Sequence, residues 1–222
     1  MSVWFVAGAG TDVGKTYVAA ALIRQWRAAG RPVQALKPVA SGVAAIGASG
    51  FESGDTAVLL GALGLPVTVE TVEACSPWRF AAPLSPDMAA AAEGRRLPFS
   101  AVLAWCRSRI AATPLGGVTL IEGVGGVMSP IADDALNLDL VKALACPVVL
   151  VGGSYLGGLS HILTALETLK GHGVTVGSIV LNESAGSTVD FAAAMATLQR
   201  FVAGVPIVPL RQGGGLSAID LA

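Results

Sequence analysis

The sequence predicts an α/β fold: one domain over residues 1–222, built on a mostly parallel β-sheet with helices on both faces. Three observations predict it. Short apolar, β-branched runs alternate with longer helical patterns along the whole chain. The short runs are apolar throughout instead of alternating with polar residues, the habit of strands buried on both faces. A glycine-rich segment follows the first run directly and opens the first helical pattern, at the strand end where open α/β sheets bind ligands.

The elements follow in order. Val3–Ala7 is a buried strand, and the helical pattern from Lys15 to about Ala29 is closed by Gly30. Val33–Lys37 is a second strand, and Asp55 to about Leu63 a helix with Asp55 as its cap and Gly64 as its stop. Ser85-Pro86-Asp87 starts a helix that ends near Gly94, since serine caps and proline suits the first turn. A helix from Ser100 to about Ala112 leads to the strand Val118–Ile121, which delivers Glu122 into Gly123–Gly126. Then come helix Asn137–Ala145, strand Val148–Val151, helix Ser160–Lys170, strand Val174–Leu181, helix Val189–Val202 and a last strand Val205–Val208. The Gly-, Ala- and Ser-rich loop Ser41–Gly54 reads as mobile.

Composition narrows the partners. With 53% apolar and 13% charged residues the chain is not a disordered one. Lys+Arg 14 against Asp+Glu 15 leaves a formal charge of −1, so no basic field holds nucleic acid or an anionic membrane. A mean hydropathy of +0.68 raises the question of a membrane span. The longest uncharged stretch, Ala143–Leu166, is however broken by Pro147, Gly152-Gly153 and Gly157-Gly158, and by Ser154, Ser160 and His161. It reads as strand, loop and helix start. No signal peptide is expected, and Cys75, Cys106 and Cys146 read as reduced core thiols of a cytoplasmic protein. Small molecules are the expected substrates.

The glycine segment reads Gly8-Ala9-Gly10-Thr11-Asp12-Val13-Gly14-Lys15-Thr16. Gly14 falls one residue late for a dinucleotide fingerprint, and Gly8 one residue early for the standard phosphate loop. The ending Gly14-Lys15-Thr16 decides for the phosphate loop: backbone N–H groups wrap a triphosphate, Lys15 neutralises it and the Thr16 hydroxyl ligates Mg²⁺. Glu122, a charge at the end of an apolar strand, supplies a carboxylate on the metal side; Asp55 reads as a helix cap, a metal ligand, or both. Lys37 ends a strand in Lys37-Pro38-Val39-Ala40-Ser41-Gly42 and points to the same sheet edge as Lys15. The chain has only four lysines, Lys15, Lys37, Lys142 and Lys170. Two of them at one edge make a cationic site for an anionic transition state, as phosphoryl transfer needs. Gly157-Gly158-Leu159-Ser160 opens a helix whose N–H groups suit an anion or simply make a turn. His161 has no metal-ligand spacing. Asn182 at a strand end either bonds a base edge or caps the turn.

These blocks, over nearly the whole chain, resemble the dethiobiotin synthetase family. The family shares the one-residue-longer loop Gly8–Thr16, the KPVxSG block at Lys37–Gly42, the aspartate in Ser53-Gly54-Asp55, and Phe80–Pro86. Glu122–Gly126 and Leu156–His161 match its further blocks. The resemblance implies a phosphate-loop NTPase-like fold and an ATP- and Mg²⁺-dependent enzyme. It would close 7,8-diaminononanoate with CO₂ into the cyclic urea of dethiobiotin, through a carbamate and a carbamic-phosphoric anhydride. It implies Lys37, Lys15, Thr11 and Ser41 as catalytic, with Thr16, Asp55 and Glu122 on the metal. The nucleotide would be held by Asp12, Val13, Gly14, Lys15, Thr16 and Tyr17, by Asp55, Glu122, Gly123, Val124 and Gly125, and by Asn182, Pro209, Leu210 and Arg211. Thr11, Lys37 and Ser41 would position the diamine and carbamate. Gly157, Gly158, Leu159 and Ser160, from the partner subunit of a homodimer, would bind the substrate carboxylate. Three other readings fit these residues less well. A cobyrinate-type amide synthetase is expected to carry an additional amidotransferase domain. A ParA-like switch ATPase is expected to have an extra lysine early in the loop. An NAD-binding protein is expected to have a different glycine spacing and an acid for the ribose on the second strand, where this chain has Gln34 and Ala35.

Overall fold

A computed structural model describes residues 2–219 and 221. The chain runs β1 (Ser2–Gly8), α1 (Lys15–Ala28), β2 (Val33–Leu36), β3 (Val39–Ser41), a 3₁₀ turn (Phe51–Ser53), α2 (Asp55–Leu63) and α3 (Val69–Cys75). It continues through β4 (Trp78–Phe80), α4 (Pro86–Ala92), α5 (Phe99–Ala111), β5 (Val118–Gly126), β6 (Pro130–Ala132), β7 (Ala135–Leu136) and α6 (Asn137–Leu144). It closes with β8 (Val148–Gly153), α7 (Gly158–Gly171), β9 (Val176–Asn182), α8 (Phe191–Phe201) and β10 (Ile207–Leu210). Six strands form the main sheet in the order β10-β9-β8-β1-β5-β2, every neighbouring pair parallel. β3 and β4 pair in parallel beside it, and β6 and β7 form a small antiparallel pair.

The period-2 alternation of each central strand feeds two apolar layers. On β1, Phe5 and Ala7 face one layer while Trp4 and Val6 face the other; on β8, Val148 and Leu150 oppose Val149 and Val151. The first layer takes its helical share from α4 through α8, the second from α1, α2 and α3 together with Leu221. Each large apolar side chain so enclosed contributes about 2 kcal/mol of transfer free energy. The sheet therefore fixes its C-terminal edge rigidly. Among the described residues, no helix is long and apolar enough to cross a membrane.

Four expectations need correction. The last strand is Ile207–Leu210, two residues later than predicted, because the Pro206 carbonyl already accepts from Ile179 N–H (2.9 Å) and begins the ladder. Pro209 fits there because β10 is an edge strand. α3 is unmarked in the sequence: Val69–Cys75 has no clear apolar period, and its start is fixed by Thr68 and Thr71, each hydroxyl accepting the other's backbone N–H. Asp55 is the first residue of α2, and Gly54 is the cap. The segment Ser41–Gly54 is anchored at both ends, by Gly42 and Val43 N–H groups on the Ala82 and Phe80 carbonyls and by buried Phe51.

Candidate active site

The segment between β1 and α1 is bent by glycine. A Cβ at Gly8 would lie 2.5 Å from the Gly10 carbonyl, and one at Gly14 would lie 2.4 Å from Asn182 Nδ2. Gly14 is also left-handed at φ 91°, and Asp12 adopts φ 55°, a conformation aspartate tolerates better than most residues. The consequence is electrostatic. Among the described residues, none of the backbone N–H groups from Gly10 through Tyr17 finds an acceptor within the chain, and α1 adds the positive end of its dipole. That is a cradle for a polyphosphate. Lys15 Nζ reaches back to the Gly10 carbonyl at 3.0 Å. Burial, and then the neighbouring Lys37 ammonium, lower its pKa to about 8.

β5 carries the second part. It runs on through Gly126, so Glu122 is a strand residue beside Val6 and is buried. Its Oε1 accepts from Lys37 Nζ (2.6 Å) and Thr16 Oγ1 (2.8 Å), while Oε2 is buried without a partner. Asp55, half-exposed at the start of α2, takes Lys37 on Oδ2 (2.6 Å) and Thr16 on Oδ1 (2.7 Å). Lys37 follows β2 directly and is 2% exposed. Burial pulls its pKa down, but the charge of Glu122, then Asp55, and the hydrogen bonds to both outweigh it, so the ammonium is held above the usual lysine value. Asp55 mirrors this: burial pushes up, the Lys37 charge and hydrogen bond win, and its carboxyl is held below the usual range.

Thr16 has one hydroxyl proton and lies within 2.8 Å of two carboxylates, so three electron-rich oxygens crowd one point. Together with the unpartnered Glu122 Oε2, this is a hard-oxygen set that fits Mg²⁺.

One cavity of about 460 Å³ gathers Thr11, Asp12, Gly14, Lys15, Thr16, Lys37, Ser41, Asp55, Val124 and Gly125, with Glu122 bonded just behind it. Its size suits a small molecule. Two residues of this cavity, Thr56 and Phe51, and Asn137 beside β5 carry no motif to mark them. Thr56 follows Asp55 and offers a buried hydroxyl without a partner; buried Phe51 is part of the cavity wall. Asn137, buried, donates its amide to the Val124 and Gly126 carbonyls and pins the glycine-rich end of β5.

The other predicted residues lie elsewhere. Val13, Tyr17 and Gly123 flank the cavity in the chain without lining it. Asn182 donates to the Val13 carbonyl (3.1 Å), so it braces the phosphate loop. Leu210 is buried, pairs with Asn182 and accepts from Glu183 N–H; Pro209 precedes it, and Arg211 lies over the Phe191 ring, 3.7 Å from Glu183. Gly157–Ser160 begins α7 away from the cavity, and the Gly158 N–H is already given to the Tyr155 carbonyl, leaving Leu159 and Ser160 to offer theirs. The His161 ring meets the Tyr155 hydroxyl at 2.7 Å.

The AAA domain family AAA_26 matches residues 3–211. An ATP-dependent dethiobiotin synthetase of Methylobacterium nodulans is 54% identical over 221 residues, 100% of this chain and 98% of that one. The same enzyme of Phenylobacterium zucineum is 47% identical over 96% of this chain and 90% of its own. A solved DUF1611 family protein from Anabaena variabilis is similar in fold, with TM-score 0.51 and 16% identity, over 93% of this chain and 52% of that one.

Proposed function

This chain belongs to the ATP-dependent dethiobiotin synthetase family, and from that premise we propose that it closes 7,8-diaminononanoate with CO₂ into the cyclic urea of dethiobiotin, consuming ATP in biotin biosynthesis. The observation that carries the reading is the junction of a free N–H cradle with a lysine-bearing acidic cluster inside one cavity.

The chemistry follows from charge. One amine adds to CO₂ and loses a proton, giving a carbamate. The carbamate oxygen attacks the γ-phosphorus as the bond to ADP breaks, and the second amine then attacks the carbonyl carbon as phosphate leaves. Negative charge collects on phosphoryl and carbamate oxygens throughout, so placed donors do most of the work. The N–H groups of Asp12–Thr16 hold the phosphates, with Lys15 beside them. Thr16, Asp55 and Glu122 would hold Mg²⁺, which would supply neutralisation of phosphate charge. Lys37, Thr11 and Ser41 face the carbamate. Asn182 and Pro209–Arg211 form the base side. Gly157–Ser160 serves the substrate carboxylate of the partner subunit in a homodimer; the exposed Leu156 beside it supports burial in such an interface. The three cysteines are free and buried, and burial pushes each thiol up to about 12, which suits a reducing cytoplasm.

The test is phosphate release from ATP with bicarbonate and the diamine, omitting each in turn, with the product weighed by mass spectrometry. Full dependence on both, with a cyclic urea, is expected. Release that ignores the diamine and yields no cyclic urea overturns the reading.

A further inference from the structure

Lys37 has three N–H donors and all three are used: Asp55 Oδ2 at 2.6 Å, Glu122 Oε1 at 2.6 Å and the Gly123 carbonyl at 3.3 Å. The side chain is buried, and no donor is left over for water or substrate. An ammonium so saturated reaches a substrate oxygen only by giving up one of these acceptors. Two of the three are carboxylate oxygens of the set that fits a divalent cation, and Glu122 Oε1 is already shared with Thr16.

We infer that a divalent cation and the Lys37 ammonium compete for Asp55 and Glu122, so that cation binding frees Lys37 to turn toward the anionic substrate. Two positive groups a few ångströms apart in a buried site repel, and the stronger competitor for a carboxylate is the divalent ion. Lys37 lines the reaction cavity, so the displaced ammonium has somewhere to go without crossing the core. Metal and substrate anion then bind with positive linkage through one side chain: the cation weakens the hold of the carboxylates on Lys37, and a substrate that engages Lys37 strengthens the cation in return. The competition itself stands on the contacts alone. Only its last step, the turn toward substrate, rests on the proposed reaction.

The lysine scarcity makes the test direct. In protein labelled with ¹³C at lysine Cε, four resonances are expected, and Lys37→Gln assigns one. Mg²⁺ titrated into nucleotide-free wild type is expected to shift the Lys37 resonance along the calorimetric binding isotherm, leaving Lys142 and Lys170 in place. In parallel, Lys37→Gln is expected to bind Mn²⁺ about tenfold more tightly than wild type, since a competing charge is gone. A merely structural role predicts unchanged or weaker binding there. Saturation by Mg²⁺ with a motionless Lys37 resonance overturns the inference. So does Mn²⁺ binding that is no tighter in Lys37→Gln, or that Asp55→Asn leaves unchanged. If Lys37→Gln fails to fold, the charge-preserving Lys37→Arg assigns the same resonance and keeps the wild-type titration decisive. Neither measurement contains ATP or diamine, so failure of the proposed reaction is a separate result.

Discussion

The two flanks of β1 carry strands of the same make, yet they use their polar residues differently. Toward β5 and β2, side-chain charge is concentrated: Lys15, Lys37, Asp55 and Glu122 meet within one cavity and its wall. Toward β8, β9 and β10, polar side chains bond the protein itself. Asn182 holds Val13, the Ser154 hydroxyl accepts from Ser184 N–H, and Glu183 accepts from Gln212 N–H. The first flank concentrates charge around a cavity, and the second uses its polar groups to hold a scaffold. Substitutions should therefore damage chemistry on the first flank and only affinity on the second.

The largest effect is expected at Lys37. Lys37→Ala removes a placed charge, costing turnover on the order of a hundredfold or more. It also leaves Glu122 buried and unpaired, so urea unfolding should show a loss of about 3 kcal/mol. A variant with near-normal turnover would remove the contrast between the flanks.

Lys15 sharpens the contrast with the opposite sign. It is buried, and its pKa of about 8 against an ordinary 10.5 means the folded state holds its charge at a cost. Lys15→Met should stabilise the nucleotide-free protein at pH 7 by about 3 kcal/mol while abolishing ATP binding. Between pH 8 and 10.5 the unfolded chain binds more protons at this site than the folded one, so wild-type stability from this group rises with pH. The melting gap should then close across that window. A gap that widens there would show that Lys15 is not strained by burial.

Much of this was legible in the sequence, for a physical reason. Phosphate binding needs glycine at fixed turns and charge at fixed strand ends, and both leave marks: Gly14-Lys15-Thr16, Lys37 after a buried strand, Glu122 within another. What the residues hide is how the charges are paired. Nothing in the spacing says that Lys37 has its three donors filled, or that Asn182 turns toward Val13. Asn137 and Thr56 left no mark, since a buried amide that pins two carbonyls resembles any helix-start asparagine. α3 was missed because its β-branched residues look extended until the threonine cap fixes them.

On the second flank, Asn182→Ala should raise the KM for ATP about fivefold and leave kcat within about twofold, the worth of one neutral hydrogen bond to a loop that keeps its other supports. Steady-state kinetics decides it. A kcat loss comparable to that of Lys37→Ala would mean that the phosphate loop depends on this brace for the chemical step, and the flanks would no longer differ in kind.

The smallest effect is expected at Arg211, where the comparison is most exposed to failure. The guanidinium lies 4.6 Å above the Phe191 ring and 3.7 Å from Glu183, and more than half of its side chain is open to solvent. Such an ion pair is worth about 0.5 kcal/mol, and the ring contact about as much again. Arg211→Ala should therefore shift the melting temperature by only a few degrees and change the KM for ATP less than about threefold. Because the Arg211 guanidinium is largely open to solvent, 0.5 M salt should erase most of the ion-pair share and bring wild type and variant closer together. If instead the variant loses ATP affinity by an order of magnitude that salt does not recover, Arg211 touches the nucleotide directly, and charge does act on the flank that otherwise works through backbone and packing.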